Sequence, residues 1–458
     1  MPAPASAIRA EIRATLALAA PLAGANLAQM AMGLTNAIVV GRLGGGALAA
    51  AGLGAGFYFT LVMICQGVLV AVAPLAAHAI GAGDERAAAR VAGAGMALAA
   101  LMALPVFLLL TIAPQLLVLL GYQQQLAADI ADFLSAIRWA SPAFLGFAVL
   151  RGMLSAAGRV RAIMFAVLFA VPANAVLNGA LVFGHFGLPA LGIVGSGFAT
   201  AIIQWVMTLG LAAYTLLLPG RRFRMLARGD LARIVRVGLP ISGMLALEVG
   251  VFNAAGVLMG LLGAQALGAH QLAINFASLS FMVPLGIAQA ATVRVAYELG
   301  AGAGEAARRA GLVALALGGV LMLAPSLLML AIPWTIAGIY LDLGDPGNQG
   351  TAIIAVRLLA IAAAFQVFDG VQVIALGALR GYRDTAVPML IGAFGYWAAG
   401  FAMSWALAFP LGYGAVGLWW GLALGLGIVA LLLTWRLHHR SRVAEARVGM
   451  AEAQALPG

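Results

Sequence analysis

The stretch RVAGAGMALAALMALPVFLLLTIA, residues 90–113, decides the class of this protein. After its first residue it carries no charge. A helix needs about 20 apolar residues to cross the hydrocarbon core of a bilayer. Eleven further stretches are predominantly apolar and at least as long as this minimum, so the sequence predicts an all-α membrane protein with twelve transmembrane helices. The twelve predicted spans are 14–40, 47–77, 90–113, 128–155, 160–184, 190–218, 234–260, 266–297, 308–339, 350–378, 386–410 and 414–437.

The composition points to the same class. Of 458 residues, 64% are apolar and only 9% are charged, and the mean hydropathy is +1.05. A soluble domain carries about 25% charged residues. Lipid must therefore cover much of this chain, and membrane lipid is its first predicted partner.

Several spans contain prolines, which weaken helical hydrogen bonding and are predicted bend points. They are Pro142, Pro172, Pro284, Pro325 and Pro333.

Arginines set the predicted orientation. With the N-terminus inside, 21 of the 25 arginines fall in cytoplasmic segments, including Arg380. Only Arg42, Arg138 and Arg357 fall outside, and Arg151 lies within the fourth span. Positive residues accumulate on the cytoplasmic side of membrane proteins. The pattern predicts a multi-pass protein of the bacterial cytoplasmic membrane with both termini in the cytoplasm.

Three function classes are excluded or disfavoured. The chain contains no lysine, so it has no Walker A loop and no predicted use of ATP. The net charge of +10 comes from short arginine bursts between apolar runs, which argues against nucleic acid. We find no His-Glu-x-x-His motif, no paired aspartates on adjacent spans and no Ser–Lys dyad, so an enzyme is not expected. We also predict a monomer without a cofactor.

The two halves of the chain repeat at one constant offset in sequence. That offset places Pro21 on Pro240, and Gly41–Gly44 on the similar Gly260–Gly263. Six spans in each half make the repeat parallel, related by a pseudo-two-fold axis along the membrane normal. Two-lobed architectures of this kind place the solute site between the lobes and work by rocking them. This favours a transporter.

The predicted domains follow from the repeat. They are an N-terminal six-helix lobe at 1–220, a cytoplasmic arginine-rich linker at 221–236, and a C-terminal six-helix lobe at 237–458, which ends in a short cytoplasmic tail.

Across nearly its whole length the chain resembles the MATE (multidrug and toxic compound extrusion) family, nearest its NorM-like branch. The resemblance implies two six-helix bundles and export of cationic, amphiphilic compounds in exchange for sodium ions or protons. The matching motifs are Pro21 to Ala50, Asn174 to Gly195, Pro240-Ile241 with Glu248, and Asp369 followed by GALRGYRDT at 377–385.

Two acidic residues lie near the middle of predicted spans: Glu248 in span seven and Asp369 in span ten. A charge at the bilayer centre costs about 2.5–3.5 kcal/mol on insertion scales, so such residues face the bundle interior or a wet cavity. The sequence places no arginine clearly at the same depth to neutralise both. We therefore predict that they bind the coupling cation, either a sodium ion or a proton. The alternative is that both are protonated acids that bond neighbouring helices. By resemblance, both fall on family positions implicated in cation binding.

Neutral residues near these acids are possible cation or substrate contacts, although plain interhelical hydrogen bonding is the favoured explanation for the polar ones. They are Asn253, Asn275, Gln271, Gln366, Gln372 and Phe365. A ring face beside Asp369 would favour a bound cation.

The first half lacks matching charges. The residue equivalent to Glu248 is Gln29. Many NorM-like relatives carry an aspartate where this chain has Asn36, which puts a carboxylate ion site in this half in doubt. Asn36, Asn174 and Asn178 could orient substrate or water, or could be packing contacts.

The favoured function is a secondary multidrug exporter that antiports cationic amphiphilic compounds against sodium ions or protons. The alternative is a lipid-linked-precursor flippase of the same architecture. Its cavity should hold several cationic residues for pyrophosphate, and here only Arg151 is available. The sequence does not decide the coupling ion, the physiological substrates or the resting conformation.

Overall fold

The computed structural model describes residues 5–119, 121, 123–217 and 228–455, and within these ranges it contains helices and no strands. Apolar runs form helices in lipid because a helix satisfies all its backbone hydrogen bonds internally. The helices are α1 (Ala5–Gly41), α2 (Gly45–Leu69), α3 (Val72–Gly81), α4 (Glu85–Leu119), α5 (Gln124–Ile137), α6 (Ala140–Ala156), α7 (Val160–Phe183), α8 (Gly192–Leu217), α9 (Arg228–Leu261), α10 (Ala264–Gly300), α11 (Gly304–Ala331), α12 (Pro333–Tyr340), α13 (Pro346–Gly381), α14 (Ala386–Gly392), a π-helical segment (Ala393–Phe401), α15 (Ala402–Ala408) and α16 (Gly414–Ala455).

The predicted all-α membrane fold is confirmed. In the described part of the chain, eleven helical stretches are long and apolar enough to span a membrane, and the bent pair α5–α6 can make a twelfth. That pair bends by 48° at Arg138–Trp139. Pro142 lies four residues after Arg138 and has no N–H to bond its carbonyl, which explains why the helix breaks there.

The ninth predicted span needs correction. The apolar pattern predicts the ninth span as one helix over 308–339, but α11 ends at Ala331 and α12 starts at Pro333. Proline is favoured in the first turn of a helix because its missing N–H has no intrahelical partner there. The break at Ile332 therefore follows from Pro333, whereas Pro325 remains inside α11.

The chain forms two compact units. Unit 1 comprises Met1–Ala23 and Gly243–Gly458, and unit 2 comprises Gly24–Ser242. Helices α1 and α9 therefore each contribute to both units. The two crossing points, before Gly24 and before Gly243, are equivalent positions of the sequence repeat. The units thus differ from the predicted lobes at the first helix of each half. Residues 221–227 of the predicted linker lie outside the described residues, and 228–236 are helical.

Two helix segments belong to the unit formed by the other half of the chain: Ala5–Ala23 of α1 and Arg228–Ser242 of α9. We call them the exchanged helix segments, and close backbone contacts hold both. In unit 1, a Cβ added at Gly286 of α10 would lie 2.7 Å from the Ala23 nitrogen of α1. In unit 2, a Cβ at Gly67 of α2 would lie 2.6 Å from the Ser242 Cα of α9. The repeat relates Gly67 to Gly286 and Ala23 to Ser242. Only glycine permits this close approach, so the two contacts are equivalent structural elements of the repeat.

Candidate functional site

The two acids predicted to bind a cation meet in unit 1. Glu248 of α9 is half-buried, and Asp369 of α13 is buried with 6% of its surface exposed. Between them lies the fully buried side chain of Gln372. Its Nε2 donates to Glu248 Oε1 at 3.1 Å and to Asp369 Oδ1 at 3.2 Å. One amide therefore bridges two carboxylates from different helices.

Tyr396 fixes the orientation of that amide. Its hydroxyl donates to Gln372 Oε1 at 2.6 Å, so the amide oxygen is occupied and the amide nitrogen faces the acids. Tyr396 belongs to the π-helical segment, and π-helical turns occur frequently at functional sites. We call Glu248, Asp369, Gln372 and Tyr396 the acid cluster. Within the described residues, the hydrogen bonds to the two acids use Glu248 Oε1 and Asp369 Oδ1 only, which leaves one oxygen on each carboxylate for another ligand.

Arg380, which the sequence predicts on the cytoplasmic side, lies in the last turn of α13 and is buried, with 7% exposed. It follows Asp369 by eleven residues, which is a rise of about 16 Å along the helix. The expectation that no arginine lies at the depth of the acids stays a prediction.

Two predicted contacts beside Asp369 join helices. Gln366 Nε2 donates to Ser280 Oγ at 2.9 Å and to the Ala277 carbonyl at 3.3 Å, both on α10. Phe365 is buried edge-on against Trp419 and Phe252. Both side chains therefore make packing contacts that set the position of α13, and neither is hydrogen-bonded to an acid.

Three further predicted contacts lie apart from the acid cluster. Gln271 Nε2 donates to Asn275 Oδ1 at 3.1 Å, one turn along α10. Asn253 is exposed on α9. It lies five residues from Glu248, which rotates it about 140° away around the helix. In the described part of the chain, none of the three bonds Glu248 or Asp369.

In unit 2, the predicted asparagines do meet. Asn174 and Asn178 of α7 are fully buried, and each donates through Nδ2 to Asn36 Oδ1, at 2.6 and 2.7 Å. Asn36 Nδ2 donates to Thr200 Oγ1 at 3.1 Å. The Oδ1 atoms of Asn174 and Asn178 are buried with no hydrogen-bond partner. We call these four residues the amide cluster, and it carries no formal charge.

Gln29 does not join the amide cluster. Its Oε1 accepts from Arg151 Nη1 at 3.3 Å, and Arg151 Nη2 also donates to Asn26 Oδ1. The arginine of the fourth span is therefore held by two amides of α1.

Comparison with known proteins gives consistent matches. The MatE family model matches residues 21–179 and 240–406. The probable multidrug resistance protein NorM of Burkholderia mallei is 44% identical over 441 residues, 94% of each chain. Its namesake in Mesorhizobium japonicum is 42% identical over 451 residues, 96% of this chain and 97% of that one.

Solved structures match the fold. The eukaryotic MATE transporter AtDTX14 superposes with a TM-score of 0.83 at 21% identity, covering 96% of this chain and all of that one (100%). A MATE protein in the bent conformation gives a TM-score of 0.86 at 19% identity, covering 97% of this chain and 98% of that one.

Proposed function

Because the chain belongs to the MatE family, a family of membrane transporters, we propose that it is a secondary active multidrug exporter. It exchanges cationic, amphiphilic compounds for sodium ions or protons by rocking-bundle alternating access. The relatives named as multidrug resistance proteins span nearly the whole chain, which supports this class of substrate.

The observation that carries the proposal is the acid cluster. Two carboxylates on different helices share one neutral donor, Gln372. A single amide cannot neutralise two negative charges, and an unpaired charge in the membrane is costly. The cluster is therefore built to hold an exchangeable positive charge, which can be a sodium ion, a proton or a cationic compound.

Competition between the ion and the compound for the two acids couples their transport. A cation that enters from outside occupies Glu248 and Asp369 and displaces the compound. Each elementary charge that moves inward through the membrane potential releases about 2.3 kcal/mol per 100 mV. We propose that the two acids hold one cationic partner at a time, which links ion entry to compound release.

The flippase alternative has less support. A pyrophosphate headgroup needs several cationic side chains. The one candidate predicted from sequence, Arg151, is already hydrogen-bonded to Asn26 and Gln29.

Resistance assays test the proposal. We expect Glu248→Gln and Asp369→Asn each to abolish ethidium resistance in an efflux-deficient host, because each removes a charge that must bind the cation. Glu305→Gln is the matched control, since Glu305 is an exposed carboxylate of unit 1 that pairs with the neighbouring Arg309 at 3.6 Å. Membrane expression is measured in parallel. Full resistance in the Glu248→Gln/Asp369→Asn double variant would contradict the proposal.

Dye efflux from proteoliposomes identifies the coupling ion. An imposed sodium gradient and an imposed pH gradient are applied separately to the wild-type protein, and the gradient that drives ethidium efflux names the ion.

A further inference from the structure

The side-chain amide of Gln372 has both of its donors committed to the acids. An amide nitrogen carries two hydrogens, and Gln372 Nε2 donates to Glu248 Oε1 at 3.1 Å and to Asp369 Oδ1 at 3.2 Å. Carboxylates without a bound cation accept such bonds, whereas the nitrogen itself offers no lone pair to a cation. This orientation of the amide therefore suits the acid pair when no ion is bound.

The reversed amide suits the opposite state. Turned by half a rotation about its terminal bond, Gln372 would present Oε1 to the two acids. Side-chain amide oxygens are ligands of hard metal cations, and they accept a hydrogen bond from a protonated carboxyl group. The two orientations of one neutral side chain therefore favour the cation-free and the cation-bound site, whichever ion is used.

Tyr396 holds the amide in the first orientation. Its hydroxyl donates to Gln372 Oε1 at 2.6 Å, and the side chain is buried, with 2% exposed. After a reversal, the amide nitrogen would face the hydroxyl, and the hydroxyl hydrogen would lose its amide acceptor. A buried donor left without a partner is unfavourable, so the hydroxyl opposes the reversal.

The π-helical segment fixes where this hydroxyl lies. A Cβ added at Gly400 would lie 3.0 Å from the Gly425 Cα of α16, so the two backbones are in close contact. Trp397, next to Tyr396, donates through Nε1 to the Leu247 carbonyl of α9 at 3.1 Å. The segment is therefore bonded both to α13, through Tyr396, and to α9, at the residue before its acid.

We propose that Tyr396 is a positioning residue that holds Gln372 in the orientation suited to the cation-free acids and so limits how tightly the coupling ion binds. The inference rests on the proposed ion exchange and assigns to the same site a residue that sets its affinity. An exporter needs this limit, because an ion that never leaves cannot be exchanged for a compound. Tyr396 therefore favours turnover at the expense of affinity.

Ion activation of transport tests the role. Purified Tyr396→Phe is reconstituted, and ethidium efflux is measured against the concentration of whichever ion, sodium or proton, drives the wild type. We expect the half-activating concentration to fall about tenfold, which corresponds to one hydrogen bond of about 1.4 kcal/mol, and the maximal rate to fall as well. An unchanged half-activating concentration would overturn the proposal.

Tyr58→Phe is the matched control. Tyr58 is equally buried, with 1% exposed, and among the described residues its hydroxyl has no hydrogen-bond partner. The same substitution there removes a buried hydroxyl without releasing an amide, so its half-activating concentration should equal that of the wild type. A tenfold fall in Tyr58→Phe as well would make the effect unspecific and would count against Tyr396.

A double variant tests whether Tyr396 acts through Gln372. Gln372→Met keeps an unbranched side chain without an amide, so there is no orientation left to hold. In that background we expect Tyr396→Phe to leave the half-activating concentration unchanged, which is a non-additive result. A further tenfold fall would show that the hydroxyl acts on the ion by another route, and the assigned role would be wrong.

Ion binding in detergent gives a readout that needs no transport. An ion that binds the folded protein stabilises it by an amount that depends on its dissociation constant. Compared with Tyr58→Phe over the same concentrations, Tyr396→Phe should reach a given stabilisation at about tenfold lower ion concentration. If Tyr396→Phe fails to fold while Tyr58→Phe folds, the hydroxyl serves stability alone and the proposal is overturned.

The tests separate the two levels of inference. If no ion gradient drives efflux by the wild type, the proposed exchange fails and this inference fails with it. If the wild type is ion-driven and Tyr396→Phe is activated at the wild-type concentration, only the role of Tyr396 fails.

Discussion

The two units place a polar contact on repeat-equivalent helices but give it opposite chemistry. In unit 2, Gln29 of α1 accepts from Arg151 of α6 at 3.3 Å. In unit 1, Glu248 of α9 accepts from Gln372 of α13 at 3.1 Å. Gln29 and Glu248 occupy equivalent positions of the sequence repeat. The donor carries the charge in unit 2, and the acceptor carries it in unit 1.

Under the proposed ion coupling, this difference gives a cation site to only one half of the repeat. In unit 2 the positive charge of the contact belongs to an arginine, and its partners are neutral amides. In unit 1 a neutral amide joins two carboxylates, and we propose that their positive partner is exchangeable. On this proposal, side-chain identity at a few positions separates a structural contact from a binding site.

The reciprocal substitutions Gln29→Glu and Glu248→Gln test the difference between the two units and have the largest expected effect. Gln29→Glu gives Arg151 a carboxylate partner in place of an amide, so we expect the pair to remain internally neutral and efflux to stay within about tenfold of wild type. Glu248→Gln removes half of the acid pair and should lower efflux about 100-fold or more. Ethidium efflux from proteoliposomes measures both.

Expression and monodispersity in detergent control for folding of the two variants. Loss of transport in a folded Gln29→Glu protein would mean that unit 2 also takes part in ion exchange. The proposal that only unit 1 exchanges ions would then be wrong.

The fold was predictable because bilayer thickness sets the length of apolar runs. Family membership, predicted from motifs such as GALRGYRDT at 377–385, is confirmed by the MatE match. The assignment of Ala5–Ala23 to unit 1 was not predicted, because it depends on which helix those residues pack against. Chain order alone places them in the first half.

The candidate site was only partly predictable. Glu248 and Asp369 stand out because charges inside apolar spans are rare, yet their role in coupling stays a prediction. Neutral residues such as Asn253 carry no comparable cost, so their spacing alone does not indicate which face of the helix they occupy.

Substitutions at the two equivalent glycines sharpen the comparison at the level of packing. Gly67→Ala and Gly286→Ala each place a Cβ under 3 Å from backbone atoms of the exchanged helix segment. Overpacking of this kind costs about 3 kcal/mol. Because the contacts are repeat-equivalent, we expect similar losses of unfolding free energy in both variants, measured by thermal unfolding in detergent.

Gly56→Ala on α2 is the matched control for these variants. A Cβ there would meet nothing within 4 Å, and alanine is the better helix former, so stability should hold or rise slightly. A large loss for Gly67→Ala with none for Gly286→Ala would show that only one exchanged segment is fixed by close packing.

The smallest expected difference concerns the ion pairs that hold the starts of the exchanged segments. Glu11 of α1 accepts two hydrogen bonds from Arg294, at 3.0 and 2.7 Å, and is 5% exposed. Its repeat equivalent, Asp230 of α9, is 14% exposed and makes a longer contact of 3.6 Å with Arg90, which is 38% exposed. Hydrogen bonds to charged groups contribute about 1.5–3 kcal/mol, whereas exposed ion pairs contribute below about 1 kcal/mol.

Glu11→Gln should therefore lower the unfolding free energy by about 2 kcal/mol, and Asp230→Asn by less than about 1 kcal/mol. Raising the salt concentration should weaken only the Asp230 contact, because screening acts on exposed charges. Thermal unfolding of both variants at low and high salt measures the two effects. Equal losses, or a salt-sensitive Glu11 pair, would mean that burial does not make the Glu11 contact stronger than the Asp230 contact.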